Sequence, residues 1–261
     1  MSDLRFFVIT GMHRSHTSLL ANILGESGIK LHSELIDANP SNPYGHFEDA
    51  PILRVIENAL QDNGAKWFRN IDKDIVVSKE RRTQLRLLIG ERFQEYGSDW
   101  GFKAPHSSLI LNTFSQFEEA RFIFIYRSPR SVLSSLMRRM GSQLYWRIDV
   151  PYLFARAYSI YNNRISDFIE DNEERCHLLS SESLLANPGK EVLRIGQFFN
   201  LDLATDKVNE IVKPGTVSGK KGFLEKFYSD RYAKDDQVVM SYERIDRLSQ
   251  KLESQWSNIA G

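Results

Sequence analysis

Four short apolar or β-branched runs, Leu4–Thr10, Trp100–Lys103, Arg121–Tyr126 and Cys176–Ser180, are separated by stretches of helical period. That alternation limits the folds open to the chain. Runs this brief read as strands buried in a parallel sheet. Asp49–Asp62 carries apolar residues at Ile52, Val55, Ile56, Ala59 and Leu60, one face of a helix. Ser128–Met140 repeats the pattern at Val132, Leu133, Leu136, Met137 and Met140. Pro129 falls in its first turn, where a missing N–H costs little. Further helices are predicted over Lys79–Tyr96, Pro151–Asn172, Gly189–Phe199 and Tyr242–Gln255. Strand and helix in turn predict an α/β fold: an open parallel sheet of about four to five strands with helices on both faces. Residues 1–261 read as a single domain, with irregular segments at 30–47 and 213–230 as expected substrate or lid loops.

Acidic and basic residues balance at 34 each, so no global field recruits nucleic acid or an anionic membrane. Any anion site is local. The one cysteine, Cys176, excludes an internal disulfide framework, and its apolar strand context reads as a buried structural thiol. No signal-peptide layout is seen, and no apolar stretch approaches the roughly 20 residues that span a bilayer. These features together predict a cytoplasmic protein.

The first strand breaks at Gly11 and runs into Met12-His13-Arg14-Ser15-His16-Thr17-Ser18, followed by helical spacing at Leu19, Leu20, Ile23 and Leu24. A strand, a hydroxyl-rich turn and a helix N-terminus make a phosphate cradle, because free backbone N–H groups and the positive end of the helix dipole face the turn. The turn is P-loop-like but lacks the second glycine and the lysine of a Walker A loop. Its cation is Arg14, which can grip an oxyanion while Ser15, Thr17, Ser18 and the local amides hold the rest. A second anion site is predicted where the Arg121–Tyr126 strand ends at Arg127, with Ser135 eight residues on. Ser131, Ser135 and Arg138 share a helix face there. Two such sites imply a ligand with phosphates at both ends.

The run Gly11-Met12-His13-Arg14-Ser15-His16-Thr17-Ser18-Leu19-Leu20 resembles the 5′-phosphosulfate loop of sulfotransferases that use 3′-phosphoadenosine 5′-phosphosulfate (PAPS). Arg127 with Ser135 is similar to that family's 3′-phosphate pair. Trp100–Pro105 resembles its strand-lysine segment, Asn42–Asp49 the Asn-Pro-x-Gly-x-x-Glu segment of bacterial members, and Ser181–Pro188 the segment after the last strand. The similarity spans roughly residues 4–200. It departs from the pattern at His16, where the family has glycine, at Ala104 and His106, and at Ser181, which replaces a tyrosine. A side chain at position 16 is uneasy if its φ is positive. Lys220-Lys221-Gly222 is a loose counterpart of the family's late Arg-Lys-Gly loop.

The resemblance implies transfer of a sulfuryl group from PAPS to a hydroxyl or amine, leaving 3′-phosphoadenosine 5′-phosphate. Arg14, Ser15, His16, Thr17 and Ser18 would hold the 5′ end, and Arg127 and Ser135 the 3′-phosphate, with Lys220 and Lys221 closing over it. Arg14 and Lys103 would stabilise charge on the leaving phosphate, and no metal is required. Glu48 is the expected general base, with His106 the competitor and Glu34 a third candidate. The acceptor is a small molecule or glycan whose identity the sequence does not carry, and oligomeric state is not legible. Tyr145, Trp146, Tyr152, Phe154 and Tyr158 read either as an acceptor pocket or as core. Two rival readings are a P-loop kinase-like phosphotransferase binding ATP·Mg²⁺ and a non-catalytic nucleotide-binding relative.

Overall fold

The computed structural model describes residues 4–31, 47–140, 149–212 and 223–259. In chain order these form β1 (Phe6–Thr10), α1 (Thr17–Glu26), β2 (Lys30–Leu31), α2 (Ala50–Asp62), α3 (Lys79–Tyr96), β3 (Trp100–Lys103), a 3₁₀ turn (Pro105–Leu109), α4 (Leu111–Phe114), β4 (Ala120–Tyr126) and α5 (Pro129–Met140). Then follow α6 (Asp149–Asp171), β5 (Cys176–Ser180), α7 (Ser181–Ala186), α8 (Pro188–Phe199), α9 (Val208–Ile211), α10 (Phe223–Tyr232) and α11 (Asp236–Ile259). The strands make one parallel sheet in the order β2-β3-β1-β4-β5.

Central β1 explains why the strands read as unbroken apolar runs. Its five residues are all fully buried, because both faces of the sheet are covered. Phe6 and Val8 join Trp100, Phe102, Phe122 and Phe124 beneath α2, α3, α6 and α11. Phe7 and Ile9 join Ile123, Ile125 and the apolar side of α1 and α8. Phe6 stacks on Trp100 with ring centroids 5.2 Å apart. Cys176 lies in the first core, and burial raises its thiol pKa, as an inert structural cysteine requires.

Register sets the site. Ile9 lies beside Lys103, Thr10 beside Phe124, and Tyr126 beside Ser180. The chain segments that leave β1, β3, β4 and β5 therefore emerge side by side at the carboxyl edge. The chain passes from β1 towards β2 and from β4 towards β5, opposite ways across the sheet, so the crevice between β1 and β4 is a topological switch point. Gly11 makes the close approach there: a Cβ at this position would lie 2.1 Å from the carbonyl oxygen of Ile125.

Two expected loops are shorter than the sequence suggested. β2 occupies residues 30–31 of the first, paired with Trp100 and Gly101 at the sheet edge. Residues 32–46 lie outside the described residues. In the second, 213–222 lie outside the described residues, but 223–230 belongs to α10. The reason is a long-range contact: Glu225, buried, accepts hydrogen bonds from Ser134 Oγ and from Arg138 at 3.0 Å, both on α5. Among the described residues no helix is long and apolar enough to cross a membrane.

Replacing Gly11 with alanine is expected to destabilise the protein by about 1–3 kcal/mol, the usual cost of overpacking a close contact. Urea unfolding checks this, and an unchanged midpoint contradicts the packing described.

Candidate active site

The β1–α1 loop folds into a cradle through two left-handed residues, Arg14 (φ 70°) and His16 (φ 68°), neither of them glycine. Such a conformation costs roughly 1–2 kcal/mol for each L-residue with a Cβ, and strain of this kind gathers at ligand clamps. His16 is the N-cap of α1 but makes no side-chain cap, so its imidazole is turned elsewhere. Its Nδ1 lies 2.6 Å from Ser181 Oγ at the start of α7. Burial, then the nearby Arg127 and Arg14, pushes the His16 pKa down to about 3, so the ring is neutral. Ser15 is fully buried, with an Oγ that finds no partner among the described residues. Thr17 is also buried, and Ser18 opens α1 beside it.

Arg14 and Arg127 meet at the switch point. Arg14 Nε donates to Ser135 Oγ at 2.9 Å, and an Arg127 guanidinium N–H donates to the Arg14 carbonyl at 3.0 Å. The Arg127 carbonyl in turn accepts from Tyr158 O–H at 2.8 Å. The two predicted anion sites are thus contiguous, bridged by the Arg14 side chain. Burial lowers the pKa of both arginines; at Arg127 the Glu182 carboxylate opposes that shift, and at Arg14 the neighbouring Arg139, Arg127 and Arg138 add to it. Neither Arg14 nor Arg127 enters an ion pair among the described residues. Arg138, sequence neighbour of Ser135 on α5, is instead held by Glu225.

Lys103 and Glu48 form a buried ion pair, Nζ to Oε1 2.5 Å. Burial lowers the Lys103 pKa and Glu48 opposes that shift. Helix capping does not occupy Glu48, because Asp49 does that work, accepting from Ile52 N–H at 3.1 Å and from Arg92 at 2.8 Å. Three residues past Lys103, His106 sits in the 3₁₀ turn, its pKa brought down to about 4 by burial and by Lys103. Both candidate bases therefore flank one lysine.

Sequence reasoning missed the neighbours of His106. The His13 ring lies 4.7 Å from it, edge to face, and 4.5 Å from Trp67. His13 Nε2, His106 Nδ1 and the Tyr161 hydroxyl are all buried without a partner among the described residues. Buried polar groups without partners are uncommon and mark places where a water or ligand is received. His13 stood in the loop motif and was legible as a candidate; Trp67 and Tyr161 carry no local signal. Of the aromatic group weighed as an acceptor pocket, Phe154 and Tyr158 are core and Tyr152 is exposed. Glu34, Tyr145, Trp146, Lys220 and Lys221 lie outside the described residues.

Residues 7–206 match the sulfotransferase family. No curated protein sequence matches the chain. Among solved structures, a sulfotransferase domain from the curacin biosynthetic pathway shares 15% identity at a TM-score of 0.55, covering 93% of this chain and 97% of that one. A sulfotransferase from Alicyclobacillus acidocaldarius shares 14% at 0.54, covering 98% and 100%. Sulfotransferase STF1 from Mycobacterium tuberculosis shares 17% at 0.51, covering 93% and 76%. These likenesses show a common fold.

The neutral imidazole of His106 makes stability depend on pH. In the unfolded chain a histidine binds its proton near pH 6.5, whereas folded His106 refuses it until about 4. The stabilisation is therefore complete above pH 6.5 and is lost as pH falls towards 4, at about 1.4 kcal/mol per pH unit for one such group. Urea unfolding at pH 7 and pH 5 is expected to show this fall, and His106→Gln to lessen the slope by one histidine's share, because His13, His16 and His177 are held neutral in the same way. An identical slope in the variant contradicts the assignment.

Proposed function

This chain belongs to the sulfotransferase family, and on that premise we propose that it moves a sulfuryl group from PAPS to the hydroxyl or amine of a small-molecule or glycan acceptor. The observation that carries the donor assignment is the meeting of Arg14 and Arg127 at one switch-point crevice, both without a carboxylate partner among the described residues. Ser15 Oγ, buried and unpartnered among the described residues, and the N-terminus of α1 suit an anion at the same place. The residues present fit a donor bearing phosphates at two positions.

Bound PAPS supplies the sulfuryl group and a 5′-phosphate that gains negative charge as that group leaves. The chain's part is positioning and charge stabilisation, the terms that dominate related phosphoryl transfer. Arg14, Ser15, Thr17, Ser18 and the α1 N-terminus are assigned to the 5′ end. Arg127 and Ser135 are assigned to the 3′-phosphate. Lys103 is assigned to the developing charge. Paired with Glu48 before the donor arrives, Lys103 is drawn towards the donor's oxyanion when one is present. Glu48 is then released to take the acceptor's proton. His106 and His13, neutral and unpartnered at one ring nitrogen each, line the acceptor side.

Calorimetry is expected to show 3′-phosphoadenosine 5′-phosphate binding more tightly than ATP·Mg²⁺. Arg127→Ala is expected to weaken that bisphosphate at least tenfold more than it weakens adenosine 5′-phosphate. Preference for ATP·Mg²⁺ overturns the donor assignment. With an acceptor in hand, Glu48→Gln is expected to lower kcat by about 10²–10⁴, the usual value of a general base, with bisphosphate affinity kept. If His106→Gln lowers kcat that far and Glu48→Gln does not, the base is His106.

A further inference from the structure

Two of the places where this chain departs from the sulfotransferase pattern, glycine to His16 and tyrosine to Ser181, are in contact with each other. His16 Nδ1 lies 2.6 Å from Ser181 Oγ, across 165 residues of sequence. Ser181 is fully buried, and among the described residues its hydroxyl has no other hydrogen-bond partner. Ser180 performs the capping of α7, accepting from Ser183 N–H at 2.9 Å, so Ser181 is not needed as a cap. A buried hydroxyl proton requires an acceptor. The imidazole Nδ1 is the one in reach.

We infer that Ser181, by donating its O–H to Nδ1, fixes His16 in the tautomer that carries its proton on Nε2, and that this N–H is a donor-binding group aimed at a phosphate oxygen of the bound nucleotide. The inference rests on the donor assignment made above. His16 is the N-cap of α1 and lies near enough to Arg127 and Arg14 for both to lower its pKa, so a ring N–H is close to the anion assigned to those arginines. The neutrality of the ring, enforced by burial and by both arginines, is what makes the tautomer matter: a charged imidazole would present two donors whatever Ser181 did. The geometry also explains why a left-handed backbone carries a side chain at this position. Glycine relaxes φ 68° without strain but brings no donor, whereas histidine accepts the strain and adds one.

A merely structural His16 and a ligand-binding His16 separate in a pair of readouts. His16→Gly relieves the strain but leaves the buried Ser181 hydroxyl without its acceptor, effects of similar size, so the urea midpoint is expected to move little while 3′-phosphoadenosine 5′-phosphate binds about tenfold more weakly in calorimetry, the loss of one hydrogen bond to a charged group. Ser181→Ala, which leaves the loop backbone untouched, is expected to weaken the bisphosphate by a similar factor. The double variant should be no weaker than the weaker single one, because both changes remove the same N–H. If His16→Gly binds the bisphosphate as tightly as the parent, the inference is overturned. Equal affinity in Ser181→Ala overturns the tautomer role and keeps the question answerable should His16→Gly fail to fold. Absence of bisphosphate binding in the parent protein is a different result, and it removes the donor assignment itself.

Discussion

Like charges held together in a partly buried crevice are the constraint on which the site depends. Arg14 and Arg127 are brought side by side by the register of β1 and β4, and the hydrogen bonds that fix them go to a serine hydroxyl and a backbone carbonyl, not to carboxylates. Besides burial, Arg139, Arg127 and Arg138 each lower the Arg14 pKa, so positive charge is crowded at this edge of the sheet. Buried charge without a partner is costly in a fold's stability and useful in a binding site, so such an arrangement signals a ligand. Carboxylates in the neighbourhood are engaged: Glu225 with Arg138 and Ser134, Asp49 with Arg92 and the α2 N-terminus, Glu48 with Lys103, and Glu182 with the Ser128 N–H, its charge also reaching Arg127.

That division of labour among acids gives the site its chemical logic. A parallel sheet gathers the carboxyl ends of its strands on one edge, and there the chain places a strained loop, a lysine and an arginine on three adjacent strands. Asp49 takes the capping role next door, and Glu48 faces Lys103 in a buried ion pair. Near them His13, His106 and Tyr161 present buried polar atoms without partners among the described residues, beside the Trp67 ring.

Much of this was legible in the sequence where structure is local. The four strands were predicted within two residues at their starts, because a strand buried on both faces leaves an uninterrupted apolar run. α3 was read with its observed ends and α5 within one residue, Pro129 marking the first turn of α5. β2 escaped notice since two edge residues have no periodicity to show. α10 was read as loop because what folds it is Glu225 reaching α5, a contact some 87–91 residues away in sequence. The loop motif, Lys103, Arg127 and Ser135 were visible as spacing. That Arg14 bridges to Ser135, that Ser181 meets His16, and that His13 adjoins His106 are facts of packing, which no window along the chain contains.

Hydrogen–deuterium exchange with and without saturating 3′-phosphoadenosine 5′-phosphate tests the central claim most directly, because it reads the two anion-binding segments separately in one experiment. Peptides covering Gly11–Leu20 and Arg127–Leu136 are both expected to gain protection, whereas adenosine 5′-phosphate is expected to protect the first far more than the second. Protection confined to one segment with the bisphosphate, or in neither, would contradict the proposal that Arg14 and Arg127 hold a single ligand between them.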